Sequence, residues 1–398
     1  MALLGINIFS LHLLALFFSC LALVLFFCFL KNHFDLKIAV AFAILFVFNF
    51  INLEYSKLAL LEIFVNLFLV CSFILLVAFL KNKKESFLYL SAILFVLALI
   101  IKPTAIFFTG IFFVSFLLDR KSFSKKSILI CSGIILSGII YSFAFDAVFN
   151  TINRSAISDR IVKDTAQFIR ALVLIPRNRF VIFNIFAEIF ALITIVSFIK
   201  RTKFKPKNFS HQDRIIVLLF AWIVLFLIEM ILSNYQPSRY FLVLTLPLLG
   251  LASLAFYKNN SKYLYGLLFL AIAANLFFFF AWQPTYTIQT ANSELKNFDG
   301  NVLCGGGGKI IFFEAPKANC FSGGVQPADP KIIRYLGIQY LVDMEPNAKK
   351  YENSFSLEKI KEFTFGGCSN FQLLPTCYSY KIGLYKITDL QTQDSANN

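Results

Sequence analysis

The sequence has little charge, few histidines and no recognisable nucleotide motif, and each shortage excludes a class of protein. Only 15% of its 398 residues are charged, whereas soluble globular domains carry roughly 25%. The three histidines, His12, His33 and His211, have no second ligand at helical spacing, so we expect no metal site. The glycine run at 305–308 lacks the Walker spacing and its Ser or Thr, which predicts a flexible turn rather than a phosphate loop. We expect no cofactor.

Apolar residues are abundant: 58% are hydrophobic and the mean hydropathy is +0.73. Their runs are long and without period, as at 11–30 and 87–101. About 20 such residues cross a bilayer, and only a helix satisfies its own backbone there. The sequence therefore predicts a polytopic α-helical membrane protein with about ten spans: 8–30, 38–53, 58–80, 87–101, 104–118, 127–146, 179–199, 215–232, 240–256 and 264–282. We interpret the first as a retained helix rather than a signal peptide.

The net charge of +15 sits in short loops between these runs, which indicates topology rather than nucleic-acid binding. Alternate loops hold most of the cations, around residues 31–37, 81–84, 120–126, 200–214 and 258–262. An excess of Lys and Arg marks the cytoplasmic side, so we expect these loops inside. The polar C-terminal part then lies outside the membrane.

Two domains are predicted: transmembrane helices over 1–282, and a small extracytoplasmic α/β domain over 283–398. In the second, 301–304, 309–313, 339–342 and 378–387 are typical of strands, and 330–336 of a short helix. Its four cysteines permit three disulfide pairings, and proximity favours Cys304–Cys320 with Cys368–Cys377. A zinc site is the alternative, but no Cys-x-x-Cys spacing supports it. Disulfides imply an oxidising compartment.

Charged residues near the outer ends of the spans are the candidate functional groups. Five acidic residues fall within or at the ends of spans: Glu54, Glu62, Asp146, Glu188 and Glu229. All except Glu188 gather at the outer level, where Lys57, Lys102 and Arg239 join them. Interfacial anchoring of helices explains any single one of these residues. A polar site near the outer headgroups explains the group, because ionisable residues in spans are costly.

Cations at this depth suit a lipid-borne phosphate, since Arg offers a planar fork and Lys a point charge. The outer loop at 233–240 carries Tyr235, Arg239 and Tyr240. Arg177 and Arg179 precede the seventh span, where they either bind phosphate or anchor the helix.

Three sequence elements resemble GT-C membrane glycosyltransferases, in the branch of the protein O-mannosyltransferases and the lipid A aminoarabinose transferases. Residues 55–62, YSKLALLE, resemble a Tyr-Ser-Arg-x-Ala-x-x-Glu/Asp stretch of that branch, and 102–105, KPTA, resemble its Lys-Gly/Pro-x-Ala element. Residues 239–247, RYFLVLTLP, are similar to an Arg-Tyr element that ends in proline. The resemblance covers most of the chain, in the same order and on the same predicted side.

This resemblance implies a polyprenyl-phosphate sugar donor at the outer face and inversion at the anomeric carbon. Arg239 and Tyr240 would face the donor phosphate with help from Lys102, and Glu62 would occupy the second acidic position. The acceptor would be a lipid, a glycan or a protein. The family's first helix and its acidic outer loop, which supplies the catalytic base, have no counterpart before Asp35, so we expect them to be missing and the catalytic residue is left unassigned.

Three functions remain open from the sequence. The first is a glycosyltransferase that uses a lipid-phosphate sugar in a bacterial inner membrane. The second is a transporter or flippase for a lipid or lipid-linked sugar, although we find no internal repeat. The third is a non-catalytic family member that binds a partner through its outer domain.

Overall fold

A computed structural model describes residues 8–49, 52, 61–149, 165, 169, 179–203, 205, 209–232, 241–257, 262–286, 295, 297–304, 318–322, 330–344, 351, 355–369 and 378–390. The chain divides into two compact units. One comprises residues 11–276, and the other comprises residues 277–398 together with the first ten residues.

Apolar helices make up the first unit. They are α1 (Ile8–His33), α2 (Leu36–Val47), α3 (Leu61–Asn82), α4 (Glu85–Ile101), α5 (Thr109–Leu118), α6 (Lys125–Phe149), α7 (Arg179–Thr202), α8 (His211–Leu232), α9 (Leu242–Ser253) and α10 (Lys262–Ala281). A 3₁₀ turn, Pro103–Phe108, leads into α5. Every predicted span thus overlaps a helix. In the described part of the chain, four helices are long and apolar enough to cross a membrane: α1, α3, α6 and α8. The count of ten spans stays a prediction.

Short polar turns separate the helices at one end of this unit. Asp35 begins α2 as its N-cap, and its side chain accepts a hydrogen bond from the backbone N–H of Ile38 at 2.8 Å. Lys83 and Lys203 have positive φ of 60° and 48° just after α3 and α7. A left-handed residue at this position ends a helix and reverses the chain.

Ion pairs and hydrogen bonds tie these turns together. Asp119, after α5, pairs with Lys83 and accepts from Arg214 Nη1 at 2.7 Å. Gln212 donates to the carbonyl of His33 at 2.9 Å and accepts from the Tyr257 hydroxyl at 2.6 Å. The loops expected to be cytoplasmic therefore meet at one end of the helical unit, which follows from the alternating directions of the helices.

Asp119 is the centre of this network and lies outside the apolar helices. Burial by itself raises the pKa of Asp119. Hydrogen bonds from Lys83 and Ser122, with the positive charges of Lys83 and Arg214, outweigh it and hold the pKa below its ordinary value. The carboxylate is therefore stabilised in its charged form.

Helix α9 is the core of the helical unit. All twelve of its residues are buried, and it packs against α2, α3, α7 and α8. A helix that is apolar on every side has no face to turn to a polar solvent, so it is surrounded by other elements. Nearby, Trp222 of α8 packs edge-to-face on Phe108, with ring centroids 4.9 Å apart.

The second unit contains a six-stranded sheet of order β1-β5-β6-β4-β2-β3. Its strands are β1 (Trp282–Tyr286), β2 (Gly300–Cys304), β3 (Ala318–Ser322), β4 (Tyr340–Met344), β5 (Phe355–Ser369) and β6 (Tyr378–Leu390), and α11 (Pro330–Tyr335) precedes β4. Strand β2 is parallel to β3 and β4, and the other pairs are antiparallel. The strands predicted at 301–304, 339–342 and 378–387 and the helix at 330–336 are confirmed. The strand predicted at 309–313 lies outside the described residues.

Strand β5 was not predicted, and its register explains why. Leu357 packs with Ile338 on one face of the sheet, whereas Phe363 packs with Val342 on the other. Residues six apart share a face of a regular strand. The register shifts between Lys359 and Lys361, and this irregularity reverses the alternation. The apolar residues therefore show no period of two in the sequence.

Candidate functional site

A largely buried ion pair joins two of the residues that the sequence singled out. Lys102 Nζ donates to Glu62 Oε1 at 2.8 Å, and the two side chains are 14% and 6% exposed. Both also take part in at least one further interaction. Forty residues separate the partners in the sequence, and they meet at the end of the unit opposite the Asp119 network.

The local sequence fixes Lys102 between two helical segments. Its backbone is extended, at φ −150° and ψ 113°, and its N–H bonds to the carbonyl of Ala98 at the end of α4. Pro103 follows and opens the 3₁₀ turn. A residue before proline is excluded from the helical region, and proline suits the first position of a helix. The Lys-Pro pair therefore ends one helix, begins the next and presents the lysine at the break.

Glu62 lies in the first turn of α3. A carboxylate is favoured there because the helix dipole is positive at the N-terminus. The dipole and the ammonium of Lys102 together offset the cost of burying this charge.

A second buried carboxylate stands beside the pair. Glu229, three residues before the end of α8, is 7% exposed. It lies within electrostatic reach of Lys102 but makes no hydrogen bond with it among the described contacts. Helix α8 is brought close by its packing on α5 and on the 3₁₀ turn. At this contact Gly110 leaves room for Leu225, since a Cβ on the glycine would lie 2.6 Å from Leu225 Cδ1.

Buried and partly buried asparagines extend the polar character of this end. Asn49 Nδ2 donates to Asn184 Oδ1 at 2.6 Å, and Asn49 Oδ1 accepts from the backbone of Asn52 at 3.0 Å. Asn66 Nδ2 donates to the carbonyl of Leu242 at 3.0 Å. These bonds link α2, α3, α7 and α9 through groups that have a defined direction, which apolar contacts lack.

A small cavity of about 20 Å³ adjoins this group and is lined by Ser19, Ala22, Phe46, Asn52, Ile63, Asn66, Leu242 and Leu246. Asn66 Oδ1 is buried and has no hydrogen-bond partner within the described part of the chain. A cavity of this size holds one water molecule, which a lone carbonyl oxygen would bind.

Most of the predicted phosphate-binding residues lie outside the described residues: Lys57, Arg177, Tyr235, Arg239 and Tyr240. Arg179 is described only as the first residue of α7. The structure thus brings together Glu62 and Lys102, and the roles of the others stay predictions.

The sequence placed Glu229 among the acidic residues of the outer level but gave it no role of its own. The asparagines were missed altogether. The sequence feature that could have revealed them is a side-chain amide within or next to an apolar helix, as at Asn66 and Asn184. Such a residue has to find a partner on a neighbouring helix.

Histidine and cysteine add no metal centre within the described residues. His33 and His211 meet at 3.1 Å between ring nitrogens, a contact that the sequence did not reveal. No group of three potential ligands occurs in the described ranges. The cysteines of the apolar helices, Cys20, Cys28, Cys71 and Cys131, are free thiols.

Cys304 ends β2, where it is buried and disulfide-bonded. Strand register aligns Val302 with Cys320, so Cys304 and Cys320 lie on adjacent strands, two positions apart. The predicted pairing stays a prediction, because the side chains of the other three cysteines are outside the described part.

Comparison with solved structures gives the fold. The chain is similar to ArnT from Cupriavidus metallidurans bound to undecaprenyl phosphate, at 9% identity and a TM-score of 0.57, over 96% of this chain and 85% of that one. It is also similar to the Archaeoglobus fulgidus oligosaccharyltransferase, at 13% identity and a TM-score of 0.47, over 92% of this chain and 64% of that one. A third neighbour is the arabinofuranosyltransferase AftD from Mycobacteria, at 14% identity and a TM-score of 0.44, over 93% of this chain and 33% of that one.

No protein-family model matches the sequence, and a search of curated proteins gives no match. The structural neighbours are GT-C glycosyltransferases. The likeness to ArnT spans nearly the whole chain, so this protein has a GT-C-like membrane fold, and the resemblance found in the sequence is confirmed at the level of the fold.

Proposed function

We propose that this protein is a membrane glycosyltransferase that moves a sugar from a polyprenyl-phosphate donor to an acceptor at the outer face of the membrane. The observation that carries the proposal is the Lys102 ammonium, which lies largely buried at the end of the helices in a fold shared with a protein bound to undecaprenyl phosphate. An ammonium shielded from bulk water attracts a phosphate strongly, because the local dielectric constant is low.

Lys102 would hold the donor phosphate together with Arg239 and Tyr240. Lys57, Tyr235, Arg177 and Arg179 would complete the cationic surface around it. Glu62 would act on the lysine, because its hydrogen bond directs the ammonium before the donor arrives. Positive charge fixed in this way stabilises the phosphate as it departs from the sugar.

Two further features belong to the same proposal. The α/β domain would lie outside a bacterial inner membrane, and its cysteines would pair as Cys304–Cys320 and Cys368–Cys377. Peptide mapping of the unreduced protein identifies the pairs, and either alternative pairing would contradict this assignment.

Turnover of defined donors tests the function directly. The purified protein in nanodiscs is incubated with a panel of polyprenyl-phosphate sugars and membrane extract as acceptor, and released polyprenyl phosphate is measured. We expect release with at least one donor, and its loss in Lys102→Met and Arg239→Ala. Lys83→Met is the matched control, since Lys83 also forms an ion pair but at the opposite end.

Movement of the donor into the lumen of liposomes without release of polyprenyl phosphate would favour the transporter hypothesis instead. Neither transport nor release across the panel would favour a non-catalytic protein.

A further inference from the structure

Glu229 is a buried acid that makes no hydrogen bond or ion pair among the described residues. The carboxylate of Glu62 is engaged by Lys102 at 2.8 Å, whereas Glu229 has no hydrogen bond within the described part of the chain. An apolar residue would fill a position near the end of α8 at less cost, because a buried polar group without a hydrogen bond is destabilising. A buried ionisable group that lowers stability in this way is a candidate for a catalytic role.

The position of Glu229 relative to Lys102 also suits a base. Glu229 interacts electrostatically with Lys102, yet the two side chains are not hydrogen-bonded. A base that acts on one face of a sugar while the phosphate leaves from the other has to stand several ångström from the group that holds the phosphate. Inverting glycosidases leave such a gap between their two carboxyl groups.

We propose that Glu229 is the general base of the sugar transfer, an inference that rests on the proposed function. The acceptor O–H loses its proton to a carboxylate oxygen of Glu229 as its oxygen bonds to the anomeric carbon. The bond from that carbon to the phosphate oxygen breaks, and its electron pair leaves with the polyprenyl phosphate. Atoms and charge balance without a further reactant.

The arrangement also couples the proton transfer to Glu229 electrostatically with the departure of the phosphate. As the proton arrives, Glu229 loses its negative charge, while the leaving phosphate gains one. Both changes occur within reach of the same ammonium, so the favourable interaction of Lys102 moves from the base to the leaving group. Glu62 stays bound to Lys102 and does not take the proton.

Glu229→Gln is the test, because the amide keeps the shape and cannot accept the proton. We expect kcat to fall by roughly 10²–10⁴-fold, the usual contribution of a general base. The KM for the donor and the binding of undecaprenyl phosphate stay within about twofold. The acidic limb of the pH–rate profile disappears. Glu188→Gln on α7 is the control, since it removes another carboxylate from an apolar helix.

Glu229→Asp guards against a folding defect in the amide variant. It retains a carboxylate one methylene shorter, so we expect a reduced kcat with the acidic limb still present. If the wild-type protein turns over donor and Glu229→Gln is equally active, the inference is overturned and the proposed function stands. Loss of undecaprenyl phosphate binding in Glu229→Gln overturns it in favour of a structural role. No turnover by the wild-type protein overturns both.

Discussion

Replacing Lys102 should lower the free energy of unfolding more than replacing its ion-pair partner Glu62. Lys102→Met leaves Glu62 and Glu229 buried together without their common cation, and removing one partner of a buried pair costs about 3–5 kcal/mol. Glu62→Gln leaves the lysine beside Glu229, which supplies a replacement charge. The cost should then be about 1–3 kcal/mol, the range for one lost hydrogen bond to a charged group.

The double variant Lys102→Met with Glu62→Gln removes both charges. Replacing a buried pair by uncharged groups of similar size is nearly neutral, but Glu229 keeps its carboxylate and loses its cation. We therefore expect a loss of about 2–3 kcal/mol, smaller than that of Lys102→Met alone. The coupling energy is then about 3–4 kcal/mol, because the two single losses together come to about 6 kcal/mol and the double loss to about 2–3 kcal/mol.

Unfolding in mixed micelles by titration with a denaturing detergent measures these differences, and a thermal scan gives the same ranking. Additive losses would refute the reasoning, since they would mean that the two side chains do not interact in the native protein. Equal losses from the two single variants would show that Glu229 cannot replace Glu62. The double variant should recover part of the stability lost in Lys102→Met without recovering donor turnover, which separates the structural role of the pair from its role in binding.

Three further predictions concern other parts of the chain. Asp119→Asn removes a carboxylate whose lowered pKa stabilises the folded state above about pH 4 and no longer does so as the pH falls below the folded value. Thermal unfolding should therefore show a deficit at about pH 7 that shrinks as the pH falls below about 4, and a deficit that does not change with pH contradicts this. Gly138→Ala should cost about 1–3 kcal/mol, because its Cβ would lie 2.5 Å from Val96 Cγ2, whereas Gly133→Ala has open space and changes stability by at most about 1 kcal/mol. Equal effects of the two alanines would refute the close α4–α6 contact. A membrane-impermeant thiol reagent should label Lys83→Cys only from inside and the exposed Tyr335→Cys only from outside, and labelling from the same side would refute the topology.

The helices could be predicted from the sequence because each is a long apolar run bounded by charged turns. Their ends agree to a few residues, as for the span predicted at 87–101 and the helix Glu85–Ile101. The sheet was harder. Its short buried strands at 301–304 and 339–342 were predicted, but β5 was hidden by the irregularity near Lys359, which moves Leu357 and Phe363 to opposite faces.

The site was predictable only as far as single residues. The Lys-Pro sequence at 102–103 stands between two predicted spans, and the resemblance pointed to Lys102 and Glu62. That these two side chains meet depends on how α3 and α4 pack, which no local pattern encodes. The same is true of the Asn49–Asn184 bond and of the contact between His33 and His211, which join residues 135 and 178 positions apart.

The complete enclosure of α9 has a consequence for how this protein tolerates change. A helix that faces lipid on one side accepts many apolar replacements there, so mutational tolerance along it should rise and fall with a period of 3.6 residues. Along α9 every side chain is buried. An added methylene would clash with close-packed neighbours, and a removed one would leave a cavity, whichever side of the helix it is on. Variation among descendants of this sequence should therefore be uniformly low from Leu242 to Ser253, although hydropathy alone does not distinguish this helix from those that contact the bilayer.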